Sequence, residues 1–169
     1  MNVALIGMSG AGKSAVGKLL ARALGYGFVD VDARIEAKEG EPLQAVLDRL
    51  GDEAFIRAEA GAVLALAGID RAVIAPGGSV VYAADAMRFL KRVAIVVWLY
   101  APIEAIEARI DPSMRGIVGL KGRTFRELHD ERLALYAAAA DLAVAVRDLS
   151  EAEAADLVLS ALRASGRKL

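Results

Sequence analysis

The stretch Asn2-Val3-Ala4-Leu5-Ile6-Gly7-Met8-Ser9-Gly10-Ala11-Gly12-Lys13-Ser14 joins an uninterrupted apolar run to a glycine-rich turn. An alanine- and leucine-rich segment of helical period follows. Residues 7–14 fit the pattern G-x-x-x-x-G-K-[ST] in full, with a strand before it and a helix after it. In that setting the backbone N–H groups of the turn and of the helix N-terminus cradle phosphate. Gly7, Gly10 and Gly12 allow a backbone path that side chains would block. The candidate phosphate contacts are Gly10, Ala11, Gly12, Lys13, Ser14 and Ala15. Lys13 is placed to neutralise phosphate oxygens and Ser14 to offer its hydroxyl to Mg²⁺.

The same alternation of short apolar runs and longer helical stretches continues along the chain. Strands are expected at residues 2–6, 27–29, 72–75, 94–99 and 142–146, apolar on nearly every residue, as strands covered on both faces are. Helices are expected at 13–24, 33–38, 42–50, 53–67, 83–90, 103–109, 124–138 and 150–164, with Gly25, Gly40, Gly51 and Gly68 as stops. The fold class is therefore α/β, a three-layer α/β/α domain around a five-stranded parallel sheet. The 169 residues are expected to form one domain, 1–169. Residues 111–123 break the rhythm with three glycines, one proline and three cations, the composition of a lid or binding loop.

Composition removes several chemistries. The chain has no cysteine and one histidine, His129, which excludes disulfides, Cys-type metal sites and thiol nucleophiles. With 21 basic and 22 acidic side chains the formal net charge is -1, so no nucleic-acid or anionic-membrane partner is expected. Hydrophobic residues make up 56% of the chain. The longest apolar run, residues 93–100, still falls far short of the roughly 18–20 residues that span a bilayer. No basic leader segment opens the sequence, and a cytoplasmic protein is expected. His129 reads as a surface residue and Trp98 as core.

Phe28-Val29-Asp30-Val31-Asp32 places two carboxylates at the end of the second strand, where ligands of open parallel sheets sit. They can divide the work, Asp30 toward a metal and its waters, Asp32 toward an acceptor hydroxyl as orienter or general base. Asp32 could equally cap the helix that follows. Ala75-Pro76-Gly77-Gly78-Ser79 ends the third strand, and its glycines permit close approach of a substrate or form an ordinary turn. Arg115 is the lid cation best placed to close over a γ-phosphate, with Lys121 and Arg123 behind it. Arg132, on the helix after the lid, is a candidate to hold an anionic substrate.

Taken together, these pieces resemble the shikimate kinase family, small P-loop phosphotransferases with a five-stranded parallel sheet and a mobile lid. The resemblance covers essentially the whole chain. It implies transfer of phosphate from ATP, with Mg²⁺, to shikimate, giving 3-phosphoshikimate and ADP. Carried over by position, it makes Lys13, Asp32 and Arg115 catalytic and gives Arg115 and Arg147 contacts to the nucleotide. Ser14 and Asp30 fall to the metal; Asp32, Gly77, Gly78 and Arg132 fall to the substrate, Arg132 and Tyr136 forming the Arg-x-x-x-Tyr element. In the family pattern the second carboxylate-binding arginine follows a Phe and is followed by a Glu, but here Phe55 is followed by Ile56, then Arg57 and Glu59; Arg57, about 100° further round a helix, stays a substrate-binding candidate. Pro76 replaces the first of three glycines, and Gly116-Ile117-Val118 follows the lid arginine where proline and aliphatics are usual.

The expected partner is a small-molecule hydroxyl substrate, on a monomer or weak homodimer. Two alternatives stand beside shikimate: a kinase of another hydroxy acid, polyol or amino alcohol, which Ile56 favours, and a nucleotide-binding switch. The switch reading rests on Asp48-Arg49-Leu50-Gly51, a D-x-x-G that falls at a helix end rather than after a strand.

Overall fold

A computed structural model describes residues 1–110 and 116–167. Five strands, β1 (Asn2–Ile6), β2 (Gly27–Asp30), β3 (Ala72–Ala75), β4 (Ala94–Tyr100) and β5 (Leu142–Ala145), form one sheet in the order β2-β3-β1-β4-β5. Every neighbouring pair is parallel. Strand β1 is central and wholly buried; it pairs residue for residue with β4 from Asn2↔Ala94 to Ile6↔Trp98. The expected α/β architecture is what the chain adopts.

The helices are α1 (Lys13–Leu24), α2 (Val31–Glu39), α3 (Leu43–Leu50), α4 (Asp52–Leu64), α5 (Ala84–Val93), α6 (Ile103–Glu107), α7 (Phe125–Ala139) and α8 (Glu151–Ala164), with a 3-10 helix at Gly78–Tyr82. Helix α1 packs against α8, and α4 against α5. Capping boxes start α7 at Thr124–Glu127 and α8 at Ser150–Glu153, each pairing two backbone donors that a helix start leaves open. At the opposite end of the strands from the P-loop, the buried side chain of Asn2 ties three chain segments together. Its Nδ2 donates to the carbonyls of Ile69 and Val93, and its Oδ1 accepts from the amide of Ala72.

Two local departures from the sequence expectations bear on the site. Strand β2 runs one residue further, and α2 starts at Val31 rather than Ala33. The helix cap is Asp30, whose Oδ1 accepts from the amide of Ala33 at 3.2 Å; Asp32 lies inside the first turn. The glycine turn after β3 continues as the 3-10 helix, so residues 77–82 are fixed structure rather than a simple reversal.

Candidate active site

The chain passes from β1 into α1 through a loop that only glycine fits. A Cβ on Gly7 would stand 2.7 Å from the carbonyl oxygen of Leu99, and one on Gly10 2.9 Å from methyl groups of Ile106 and Ile110. Both residues also have positive φ, 145° and 85°, a region that side chains disfavour. Gly12 occupies the N-cap of α1 with no side-chain cap, which leaves the first amides of the helix open to an anion.

Residues 9–16 of this loop line one cavity of about 760 Å³ that runs beyond the carboxyl ends of β1, β2 and β3. Asp30, Asp32, Gly77, Gly78 and Arg132 line it as well. The sequence-derived phosphate, metal and acceptor candidates are thus brought to a single space of the size that binds small ligands. Its far end is bounded by Arg109, Ile110, Val146, Leu149 and Ala154, where Arg109 is a lining cation that sequence reasoning passed over. Ile117 and Val118, from the expected lid, are buried and form part of the wall. The amide of Gly119 is held by Asp52 Oδ2 at 3.0 Å. Residues 116–120 are therefore docked, while Arg115 and the rest of 111–115 lie outside the described residues.

Lys13 Nζ donates to the carbonyls of Gly7 at 2.9 Å and Met8 at 3.1 Å. Burial lowers its pKa; the charges of Asp32, Glu59 and Asp30 work the other way. Ser14 Oγ donates to Asp30 Oδ2 at 2.7 Å. A hydroxyl and one carboxylate beside a phosphate cradle suit Mg²⁺, which takes few protein ligands and relies on phosphate and water for the rest. Among the described residues no group of three or more His, Asp or Glu side chains could hold a metal without such help.

The acceptor end is built by α2, α4, α7 and the 3-10 helix. A Cβ on Gly77 would lie 2.6 Å from both Asp32 Oδ1 and Glu59 Oε1, so glycine is required for these two carboxyls to converge. Glu59 is fully buried and accepts from Ser79 Oγ. Its pKa is pushed up to about 7, by burial first and by the Asp32 charge second. Arg132 is 1% exposed; its Nη2 donates to Val118 O at 2.8 Å, and its guanidinium sits over the Tyr82 ring at 5.1 Å. Among the described residues no carboxylate lies within 4 Å of it. Tyr136, one turn on, donates to Gly78 O at 2.7 Å.

Two candidates lie elsewhere, and one residue expected at the surface is buried. Arg57 is 71% exposed on the outer side of α4, 3.8 Å from Glu53, and lines a separate surface depression with Lys121 rather than the cavity. Arg147 is 70% exposed beside Asp148, and its neighbour Val146 faces the cavity instead. His129, expected at the surface, is buried with Nε2 3.4 Å from Ala101 O, because it shares the inward stripe of α7 with Phe125, Leu128, Arg132 and Tyr136. Glu59 and Ser79 stand in quoted motifs but were assigned no role. The signal existed: Phe55, Glu59 and Val63 are the buried residues of α4 at i, i+4, i+8, and a carboxylate on an apolar stripe demands a reason.

A family model described as shikimate kinase matches residues 9–163. The shikimate kinase of Gloeobacter violaceus is 40% identical over 154 residues, covering 89% of this chain and 86% of that protein. Among solved structures, shikimate kinase from Acinetobacter baumannii in complex with shikimate superposes with a TM-score of 0.90 at 29% identity, over 99% of this chain and 95% of that one. That from Aquifex aeolicus gives 0.85 at 28% identity, over 98% of both chains. Agreement over this much of the sequence and the backbone means that the chain belongs to the shikimate kinase family and is an ATP-dependent kinase.

Proposed function

We propose that the chain transfers the γ-phosphoryl group of ATP to a hydroxyl of shikimate. The observation that carries this is the continuity of one cavity from the glycine loop to the Asp32–Arg132 end, in a chain of this family. The glycine loop, the open first amides of α1 and Lys13 receive the phosphates. Ser14 and Asp30 would hold Mg²⁺, which when bound neutralises phosphate oxygens. Arg132 takes the carboxylate of the acceptor, and the Gly77-Gly78 backbone lets the ring approach closely. Asp32 orients the attacking hydroxyl and accepts its proton as the new O–P bond forms and the β–γ bridging P–O bond breaks, releasing ADP. Arg115, by resemblance, completes charge stabilisation at the γ-phosphate. Arg57 and Arg147, from their exposed positions, take part only if the helix or the loop that bears them turns inward.

A kinase of another hydroxy acid is the second reading, favoured by α4. Ile56 packs against the hydrophobic core and Arg57 faces outward, so α4 supplies no guanidinium to the acceptor end. ADP release with Mg²⁺ and ATP, measured for shikimate against sugar acids, polyols and hydroxy amino acids with products identified by mass, separates the two. Saturable turnover of shikimate is expected. Turnover of another acceptor with silence on shikimate selects the second reading, and ATP turnover with none of them removes both.

A further inference from the structure

Glu59 is a fully buried carboxyl group for which phosphoryl transfer, as described, has no use. Its Oε2 accepts from Ser79 Oγ, while Oε1 has no hydrogen-bond partner among the described residues. No cation among the described residues lies within 4 Å of it. A carboxylate so placed is costly in its charged form. The groups that face it are Lys13 from α1, Asp32 from α2, Ser79 from the 3-10 helix, and Arg132 and Tyr136 from α7. Burial raises the Tyr136 hydroxyl well above its ordinary range, so it stays neutral. The single histidine turns instead to Ala101 and Asp130.

We propose that Glu59 is a specificity-determining residue that works as a neutral carboxylic acid: in that form it adds no second negative charge to that of Asp32 beside Arg132, so that the cavity selects an acceptor bearing a carboxylate over a neutral polyol. The proposal rests on the phosphotransferase reading for what occupies the cavity. Glu59 does not line the cavity and acts through the field at Arg132, as a positioning residue. An ionised Glu59 would offset that field and repel an acceptor anion. Because linkage is reciprocal, an anion bound at Arg132 strengthens proton retention at Glu59, and a protonated Glu59 strengthens anion binding. The pKa of about 7 sets where this coupling is felt.

The test is equilibrium binding of shikimate and of its neutral methyl ester between pH 6 and 8.5. The readout is fluorescence of Trp98, the single tryptophan, whose ring is stacked 6.1 Å from Tyr136. For the wild type the Kd of shikimate is expected to rise roughly tenfold across this range, the equivalent of about one pKa unit of coupling, while that of the ester stays flat. Glu59→Gln should bind shikimate at all pH values as tightly as the wild type does at pH 6. Ser79→Ala, which removes the bond that steadies the ionised form, should move the wild-type transition to higher pH. A wild-type Kd for shikimate that does not change with pH overturns the proposal. So does a Glu59→Gln variant that keeps the wild-type dependence, or a Ser79→Ala variant that leaves the midpoint in place. Pairing the titrations with ADP release separates the two ideas. Turnover of shikimate with a pH-flat Kd removes the role of Glu59 alone; pH-dependent binding without phosphorylated product removes shikimate as acceptor alone.

Discussion

Arg132 donates through Nη2 to the carbonyl of Val118 at 2.8 Å, so the cation at the acceptor end of the cavity also grips the backbone of its wall. Val118 and Ile117 are buried against the rest of the domain, and Asp52 holds the amide of Gly119 from α4. On the proposed role of Arg132, acceptor binding and the docking of residues 116–120 share one side chain.

Arg132→Lys keeps a positive charge but loses the planar fork that serves Val118, Tyr82 and the acceptor together. With a charge-assisted hydrogen bond worth about 1.5–3 kcal/mol, the KM for the acceptor should rise roughly 10- to 100-fold, while the KM for ATP stays close to wild type. Amide exchange across residues 116–120 should quicken in the same variant. Unchanged acceptor KM in steady-state kinetics would remove Arg132 from the acceptor site.

Lys13 and Asp32 should fail in different ways. Lys13 is held over the loop by the carbonyls of Gly7 and Met8, which on the proposed reading it exchanges for phosphate oxygens. Lys13→Ala should lower kcat by roughly 10³-fold or more, as expected when a charge stabiliser is lost from a desolvated site, and weaken nucleotide binding. Asp32→Asn should leave nucleotide binding intact and lower kcat by about 10²–10⁴-fold, the range for a general base. Single-turnover phosphoryl transfer together with nucleotide titration distinguishes them, and an Asp32→Asn rate within a few-fold of wild type would exclude Asp32 as the base.

Gly77 has φ -63° and ψ 166°, angles that alanine adopts without strain, so any effect of Gly77→Ala comes from space. The new methyl would meet Asp32 Oδ1 and Glu59 Oε1 at 2.6 Å, and overpacking of this kind costs about 1–3 kcal/mol. Activity should fall, through both kcat and acceptor KM, with a modest loss of stability. Gly40→Ala is the control: its φ is 74° and no atom lies within 4 Å of the added methyl. It should cost about 1 kcal/mol in stability through backbone strain and leave kinetics unaltered. Equal kinetic loss in both variants would show that the convergence over Gly77 is unimportant.

The sheet and the glycine loop were legible because each is written locally: apolar runs at β1, β3 and β4, and consecutive loop residues that follow a strand. Asp30 and Asp32 were legible as a pair, but the start of α2 was not, since either aspartate can cap a helix and only the packing of Val31 and Ile35 decides. Helices α4 and α7 were harder, because which face turns inward depends on neighbours distant in sequence. Hence His129 reads as exposed and is buried, Arg57 is kept as a substrate candidate and faces solvent, and Glu59 is quoted in the family pattern without a role and is buried. Arg147 and Arg109 form the same contrast at the far end of the cavity, where a turn after a strand settles which cation lines the wall.

Glu59 also makes stability depend on pH in a direction opposite to that of a salt-bridged carboxylate. Its pKa rises from an ordinary 4.5 to about 7 on folding, so the folded state holds this proton more tightly than the unfolded state. The stabilisation is complete below about pH 4.5 and is lost as pH rises to about 7, after which no more is lost. With each pKa unit worth about 1.4 kcal/mol, the loss is on the order of 3 kcal/mol. Glu59→Gln cannot ionise and can still accept from Ser79, while Lys13, Asp32 and Arg132 remain in both proteins. The two should therefore have similar unfolding free energies near pH 4.5, and the variant should become the more stable by about 3 kcal/mol at pH 8. Urea denaturation at several pH values measures the difference directly, and a gap that stays constant with pH would mean that Glu59 is ionised throughout and that some cation reaches its Oε1.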